Sequence, residues 1–167
     1  MRRLDDIPAG ATVLVDSTIF YYACVEFQPA TAQCIRFLSR ISHTELVACL
    51  TVPILNDTVH KVMCSEAVER FHRPRAGLVG WMKRNPEQVR KLTRAGDLLN
   101  LIRALPVRIL PIGLETLAGA QIVAHRHGLL ASDSLILAVM EAHGINELAT
   151  NDDDFDQAPG ISVWKPR

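Results

Sequence analysis

The stretch ATVLVDSTIFYYAC, residues 11–24, joins a short apolar run to a predicted helix through a single aspartate. The run 11–15 is rich in β-branched residues and predicts a buried strand. Asp16, Ser17 and Thr18 are good N-cap residues, so we expect a helix to begin there. This order of strand, acid and helix is typical of the repeating unit of a parallel α/β sheet.

The same alternation continues along the chain. Further strands are predicted at 45–50, 107–110, 146–150 and 161–165. Helices are predicted between them, including one that begins near Pro53 and one that is capped by Ser132 and ended by Gly144. Short apolar strands that alternate with helices predict an α/β fold, with a mainly parallel sheet of about five strands covered on both faces.

The middle of the chain differs in both pattern and charge. Residues 65–105 contain no convincing strand, and one long amphipathic helix is predicted after Pro86. From Lys61 to Arg108 there are eleven Lys and Arg against four acids, although the whole chain has 18 of each sign. This helical, basic segment has two interpretations: exposed helix faces with charges that favour solubility, or a surface that binds a phosphate backbone.

Composition limits the class of protein. A chain of 167 residues that is 49% hydrophobic predicts one domain over 1–167. An uncharged apolar run of about 18 residues, the length that spans a membrane, does not occur, and the N-terminus is unlike a secretory signal, so we expect a cytoplasmic protein without a membrane partner. The cysteines lack zinc-site spacing and are expected to be small buried apolar residues: Cys24, Cys34, Cys49 and Cys64.

Three aspartates are predicted to lie at one rim of the sheet. Asp16 and Asp152 follow the first strand and the strand 146–150, and Asp133 lies in the first turn of a helix that we expect to meet that rim. Each has a simpler explanation, because Asp16 and Asp133 could be helix caps and Asp152 could form an Asx-turn. Three carboxylates at one rim would repel each other unless a hard divalent cation such as Mg²⁺ or Mn²⁺ neutralised them.

Four acidic motifs resemble those of a known family. The segments VLVDST, PILNDTVHKVM, LLASDSLILAVMEAHG and ELATNDDDF resemble, in order and approximate spacing, the motifs of PIN-domain ribonucleases. The resemblance extends from about Thr12 to Pro166. It is closest to VapC-type toxins of toxin–antitoxin pairs, whose last motif commonly reads Thr-x-Asp-x-Asp-Phe. It implies a PIN-like three-layer α/β/α fold.

The resemblance also implies roles for individual residues. Asp16, Asp133 and Asp152 would coordinate metal, and Thr18 would hydrogen-bond the first carboxylate or a metal-bound water. Within NDDDFD, residues 151–156, Asp154 would be a supporting acid. The two remaining acids, Asp153 and Asp156, are expected to be solvated, and Phe155 is expected to anchor the turn.

The second motif departs from the family pattern. Where the family usually has glutamate in a setting such as Leu-Asn-Glu, this chain has Leu55-Asn56-Asp57. Asp57 is one methylene shorter, so it would reach metal through water or mark altered activity. It also lies off the apolar stripe of its helix, which is consistent with a plain solvated position.

The resulting hypothesis is a metal-dependent endoribonuclease in which Asp16, Asp57, Asp133 and Asp152 are catalytic and hold one or two ions. The resemblance implies RNA as substrate and a cognate antitoxin and a second copy of the chain as partners, with Trp81, Met82 and the face 98–105 available for such contacts. Basic residues of the middle segment would bind the RNA backbone, among them Arg70, Arg73 and Arg75.

Two alternatives remain at this stage. A haloacid-dehalogenase-like phosphatase also has an aspartate after its first strand, but it needs a second aspartate where this chain has Thr18. A non-catalytic PIN-like module that binds RNA or protein would explain the departure at Asp57. RNA cleavage would distinguish this module from the nuclease.

Overall fold

The computed structural model describes residues 2–26 and 29–166. Within them, six strands form one sheet, and every pair of neighbouring strands is parallel. The strands are β1 (Arg2–Arg3), β2 (Thr12–Val15), β3 (Val47–Thr51), β4 (Arg108–Leu110), β5 (Glu147–Ala149) and β6 (Ser162–Lys165). Their order across the sheet is β1-β6-β5-β2-β3-β4. The predicted parallel sheet is confirmed, with one strand more than expected.

Eight α-helices lie between and around these strands in the described residues. They are α1 (Ser17–Cys24), α2 (Ala30–Ser42), α3 (Val52–Phe71), α4 (Leu78–Arg84), α5 (Pro86–Val89), α6 (Arg94–Ala104), α7 (Leu114–His127) and α8 (Ala131–His143). Helices α1, α2, α3 and α6 pack together, whereas α7 and α8 pack as a separate pair. The fold is the expected three-layer α/β/α arrangement.

No single described helix has both the length and the apolar character needed to cross a membrane. Helices α7 and α8 satisfy these criteria only when they are taken together, and the chain bends by 111° between them.

The centre of the sheet explains why its strands are continuous apolar runs. Val13, Leu14 and Val15 of β2 are fully buried, as are Leu148 and Ala149 of β5. Both faces of these strands are covered by helices, so neither face requires polar residues. After β2 the chain moves outward through β3 and β4, and it then returns to the other side of β2 as β5. The strand order therefore reverses between β2 and β5, which is where open α/β sheets form a crevice for ligands.

The first strand, β1, was not predicted from the sequence. It consists of Arg2 and Arg3, which pair with Trp164 and Lys165 of β6, so β1 is an edge strand of the sheet. The Arg2 guanidinium also lies 5.5 Å from the centre of the Trp164 ring. Two consecutive arginines carry no apolar pattern, and main-chain pairing with a strand distant in sequence creates this element.

The predicted long helix after Pro86 is wrong. Helix α5 ends at Val89 and α6 begins at Arg94. The carboxylate of Glu66 in α3, which is buried, accepts hydrogen bonds from the backbone N–H groups of Thr93, at 3.0 and 3.1 Å, and of Arg94, at 3.0 Å. Glu66 thus caps α6 from another helix, an arrangement that local sequence cannot reveal.

The ends of α8 give one correction and one confirmation. Ser132 does not cap this helix, because it is the second residue of α8, which begins at Ala131. The N-cap residue is Leu130, which makes no side-chain capping hydrogen bond. Gly144 ends the helix as predicted, in a left-handed conformation with φ of 63°. Glycine adopts that conformation without steric cost.

The predicted surface for self-association is partly used inside the chain. Met82 is buried with Ala67 and Leu78 in a small apolar cluster under the basic segment. The ring of Trp81 packs against Phe71, with 5.4 Å between the ring centres. These two residues attach the helical segment to α3, so Met82 is not available to a partner.

The four cysteines are free, as expected. Cys34 and Cys49 are buried, whereas Cys24 and Cys64 are only half-buried. Burial raises the pKa of the Cys34 thiol to about 12. This thiol is therefore protonated at neutral pH and behaves as a small apolar residue.

Candidate active site

A cleft of about 770 Å³ lies beyond the carboxyl ends of β2, β3 and β5. We call it the acidic cleft because its polar lining includes Asp16, Ser17, Asp57, Lys61, Asp133, Asp152 and Asp154. All five carboxylates that the sequence assigned to a metal site therefore line one cleft. Their convergence follows from the fold, because each lies shortly after a strand or in the first two turns of a helix at the same rim of the parallel sheet.

Asp16 is the most firmly held of these acids. It is the N-cap residue of α1 and only 6% exposed. Its Oδ2 accepts hydrogen bonds from the Thr18 N–H at 3.3 Å, the Thr18 hydroxyl at 2.7 Å and the Thr150 hydroxyl at 2.8 Å. Its Oδ1 accepts a longer bond of 3.2 Å from the Ser17 hydroxyl. These donors fix the carboxylate in one orientation, so its capping role and a role in the cleft are compatible.

Two threonine hydroxyls connect Asp16 to the end of β5. The Thr150 hydroxyl donates to Asp16 and accepts the Asp152 N–H at 3.0 Å. The Thr18 hydroxyl also donates to Asp16 and accepts the Asn151 N–H at 3.0 Å. The predicted bond between Thr18 and the first carboxylate is confirmed, and the two bridges hold the ends of β2 and β5 in register.

Asp133 shows that the acids are electrostatically close. It lies half-buried in the first turn of α8, as predicted. Burial raises the pKa of its carboxyl group above the usual range, and the negative charges of Asp152, Asp154 and Asp16 raise it further, while Lys61 opposes them. The arrangement concentrates negative charge and favours a cation or a proton at this end of the cleft.

The loop NDDDFD is fixed by its second and fourth acids, Asp153 and Asp156. Lys165 of β6 is 1% exposed, and its Nζ lies 2.5 Å from Asp153 and 2.6 Å from Asp156. Both aspartates are exposed, as expected for solvated side chains, and both also pair with this buried ammonium, which the sequence did not predict. Phe155 is 1% exposed and anchors the turn as predicted.

The remaining two acids of the loop face the cleft. Asp152 accepts the Asp154 N–H at 3.0 Å and so forms the Asx-turn that its sequence position predicts. Asp152 is half-buried and Asp154 is exposed, and both line the acidic cleft. Because Lys165 holds the other two acids, the loop directs Asp152 and Asp154 towards Asp133.

Asp57 lines the same cleft, where the Ser17 hydroxyl lies between it and Asp16, and it is paired with a base. The Thr51 hydroxyl accepts the Ile54 N–H, so α3 starts directly after β3 and carries Asp57 in its second turn. Asp57 Oδ2 lies 2.7 Å from Lys61 Nζ and 2.6 Å from the Ser17 hydroxyl. Burial opposes ionisation of Asp57, but the hydrogen bonds from Lys61 and Ser17 outweigh it and lower the pKa. Asp57 is therefore ionised and already neutralised by a side chain.

The donor set fits a hard divalent cation in its chemistry. Carboxylate oxygens are the ligands that Mg²⁺ and Mn²⁺ prefer, and Asp16, Asp133, Asp152 and Asp154 share the cleft without a base as close as Lys61 is to Asp57. As the side chains stand, no three acidic, histidine or cysteine groups among the described residues are arranged to hold one ion. Asp154 is exposed, so side-chain rotation is open to it.

The arginines predicted to bind RNA lie outside the cleft and make contacts within the chain. Arg70 donates to the Lys91 carbonyl oxygen at 2.8 Å, and the Arg73 guanidinium lies 5.0 Å from the centre of the Trp81 ring. Arg75 donates to the Tyr21 hydroxyl at 2.9 Å. Among the described residues that line the cleft, none is an arginine. Their contact with RNA stays a prediction.

Four residues at the site were not assigned from the sequence: Ser17, Lys61, Thr150 and Lys165. Lys61 could have been found, because a base four residues after Asp57 lies on the same side of a helix. Thr150 and Ser17 adjoin strand-end acids, which is a weaker signal. A lysine inside the apolar strand β6 also indicates a buried partner, but the identity of that partner depends on the fold.

Comparisons with known proteins agree with this geometry. The sequence matches the family model of the PIN domain over residues 13–161. It is similar to Ribonuclease VapC6 of Methanocaldococcus jannaschii, with 25% identity over 155 residues that cover 93% of this chain and 97% of the relative.

The fold is similar to that of solved toxin structures. VapC20 of Mycobacterium tuberculosis, a sarcin–ricin loop cleaving toxin, matches with a TM-score of 0.61 and 15% identity, over 91% of this chain and 98% of that one. A toxin–antitoxin complex from Klebsiella pneumoniae matches with a TM-score of 0.55 and 15% identity, over 93% of this chain and 98% of the other. Since the family model covers most of the sequence, including every acid of the cleft, the chain belongs to the PIN domain family.

Proposed function

We propose that this chain is a divalent-metal-dependent endoribonuclease that hydrolyses RNA phosphodiester bonds. The observation that carries the proposal is the convergence of Asp16, Asp133, Asp152 and Asp154 on one cleft, where burial and then the charges of the other three raise the pKa of Asp133. Such an arrangement is costly to folding unless it serves a ligand, and the ligand that it favours is a cation. The similarity to a named ribonuclease supports RNA as the substrate.

Mg²⁺ or Mn²⁺ would be held by Asp16, Asp133 and Asp152, with Asp154 as a supporting ligand and Asp57 next to Asp16 through Ser17. When bound, the ion would supply a water of lowered pKa and would offset the charge of the phosphate. The threonine hydroxyls of Thr18 and Thr150 would keep Asp16 in the orientation that the ion requires. Asp57 would act through its contacts with Lys61 and Ser17.

The basic helical segment would bind the RNA backbone outside the cleft. Its helices α4 and α6 pack on α3 through the cluster around Met82 and the Glu66 cap. We therefore propose that residues 1–167 form one PIN-like domain. Arg75 lies beside α1, whose first residue lines the cleft, and Arg70 and Arg73 lie further along the same segment. Contacts of this kind would be independent of sequence and would weaken as salt is added.

We further propose that the protein is the toxin of a toxin–antitoxin pair. The similar solved structures include a toxin–antitoxin complex, which supports an antitoxin partner. Leu117 and Leu130 line the acidic cleft and are 47% and 77% exposed. They would receive an apolar antitoxin segment that places a base near the acids. We also propose that the protein forms a homodimer through helical surfaces and that it is located in the cytoplasm.

The deciding experiment is a cleavage time course on total bacterial RNA with purified, antitoxin-free protein. Reactions contain Mg²⁺, Mn²⁺ or EDTA, and wild type is compared with Asp16→Asn, which keeps the size and capping ability of the side chain. The matched control is Asp97→Asn, because Asp97 is an exposed aspartate in the first turn of α6 and does not line the cleft. We expect cleavage by wild type and by the control, and none with EDTA or with Asp16→Asn.

Other outcomes would replace this proposal. If wild type and Asp16→Asn bound RNA equally and neither cleaved it, the non-catalytic binding module would be the better description. The paired state of Asp57 is the specific observation that favours this module, because it removes one acid from direct metal binding. The phosphatase alternative has lost its support, since the chain belongs to the PIN domain family.

A further inference from the structure

Lys61 places a positive charge inside a cleft whose lining includes five aspartates. Among the described lining residues it is the one lysine or arginine. Its Nζ lies 2.7 Å from Asp57 Oδ2 and donates to the Ser17 hydroxyl at 2.8 Å. Asp57 is four residues away on the same helix, but Ser17 belongs to α1, so the ammonium is held at a junction of two helices. An ordinary pair on an exposed helix face needs no such second contact.

The contacts of Lys61 leave it able to meet a ligand. An ammonium has three donors, and the contacts to Asp57 and Ser17 account for two of them within the described residues. The side chain of Lys61 is 38% exposed and faces the cleft. A third donor and an accessible position are what an anionic ligand in the cleft would require.

The charges of the lining side chains differ in how they are offset. The charge of Asp57 is offset by Lys61, whereas Asp16, Asp133, Asp152 and Asp154 have no base as close among the described lining residues. A phosphodiester has two non-bridging oxygens and one negative charge, so these four acids repel it and nearby cations attract it. A divalent ion would be drawn to the four acids, and Lys61 already provides a second positive charge.

We propose that Lys61 binds a non-bridging oxygen of the RNA phosphate at the cleavage site, and that Asp57 positions Lys61 instead of holding a second metal ion. This inference rests on the proposed nuclease function. Lys61 would then be a catalytic residue, and Asp57 and Ser17 would be positioning residues. The site would operate with one divalent ion and one ammonium.

The first test measures binding without catalysis. A short single-stranded RNA is titrated in EDTA, at several salt concentrations, with wild type, Lys61→Met, Lys61→Arg and Arg126→Met. Arg126 is a matched control, because it is an exposed base that is paired with Glu141 and does not line the cleft. Loss of one phosphate contact should reduce the slope of log K against log salt by about 0.7 for Lys61→Met. Lys61→Arg and the control should keep the wild-type slope.

The second test separates Lys61 from metal binding. We expect Lys61→Met to bind Mn²⁺ at least as tightly as wild type, because a neighbouring positive charge is removed. Its single-turnover cleavage at saturating Mn²⁺ should fall roughly 100-fold, the loss typical of one donor to a reacting oxyanion. Replacement of Asp57 by Asn should weaken cleavage without weakening Mn²⁺ binding. A circular dichroism spectrum like that of wild type would exclude misfolding.

The outcomes distinguish this inference from the function on which it rests. If Lys61→Met had the wild-type slope of log K against log salt, or cleaved RNA at the wild-type rate, the proposed role of Lys61 would be overturned. The proposed nuclease function would still stand. Weaker Mn²⁺ binding, with cleavage restored by excess Mn²⁺, would also overturn the role of Lys61. If wild type cleaved no RNA, the nuclease proposal would fail, and the salt slope would still decide whether Lys61 contacts phosphate.

Discussion

The buried ammonium of Lys165 leads to an asymmetric prediction about stability. Lys165 is 1% exposed, whereas the side chains of its partners, Asp153 and Asp156, are 70% and 45% exposed. Replacement of Lys165 by Met removes the buried charge and leaves two carboxylates that water can solvate. The two lost charge-assisted bonds are offset by the saved cost of burying the ammonium, so the free energy of unfolding should change by about 1 kcal/mol or less.

Removal of the acids should be much more costly. The double variant Asp153→Asn/Asp156→Asn leaves the ammonium buried without a charged partner in this pair of contacts. Breaking a buried pair in this direction costs about 3–5 kcal/mol. Lys83→Met, which removes an exposed lysine of α4, serves as the control and should be nearly neutral.

Urea unfolding followed by circular dichroism and by the fluorescence of Trp164, the neighbour of Lys165, would give these free energies. Mn²⁺ titration would report on the loop, because Asp152 directly precedes Asp153 and Asp154 lies between Asp153 and Asp156, the two partners of Lys165. We expect Lys165→Met to lower Mn²⁺ affinity although it costs little stability. A Lys165→Met variant that is destabilised as much as the double Asn variant would refute the reasoning.

Three further predictions concern other parts of the molecule. In EDTA, the raised pKa of Asp133 means that the folded state binds this proton more tightly than the unfolded state. The resulting stabilisation is fully present below the ordinary aspartate pKa of 3.8 and is lost as pH rises through the raised pKa of the folded state. Asp133→Asn should therefore unfold at a higher temperature than wild type at pH 7, and a Tm no higher than that of wild type would contradict this expectation. Glu66→Ala should lower the free energy of unfolding by about 2–4 kcal/mol, because two backbone N–H groups at the start of α6 lose their acceptor, and Glu66→Gln should cost less since it retains one oxygen; equal urea midpoints for both variants and wild type would argue against the cap. The Cys34 thiol, with its pKa raised to about 12 by burial, should resist iodoacetamide at pH 8 in the folded protein and react in urea, as mass spectrometry of the labelled peptide would establish.

Local sequence was sufficient for the parts of the fold that depend on local pattern. The apolar runs that became β2, β3 and β5 could be identified because strands buried on both faces need no polar alternation. Asp16 and Asp133 could be assigned to the rim because residues that follow parallel strands, or that begin helices there, have no other place to lie. Even the capping and turn roles of Asp16 and Asp152 were foreseen, since these bonds join neighbours in the chain.

The pairing of charged residues that are far apart in sequence follows from the three-dimensional fold. Glu66 meets the N–H groups of Thr93 and Arg94, and this contact divides a segment that looks like one helix. Lys165 meets Asp153 and Asp156, so these two exposed acids also support the loop. Local sequence was enough to predict which residues reach the rim, because strand and helix periodicity are properties of short segments. The partners of Asp57 and of Lys165 were decided by the fold, because a Coulomb interaction depends on distance in space and on burial, and neither is encoded by position along the chain.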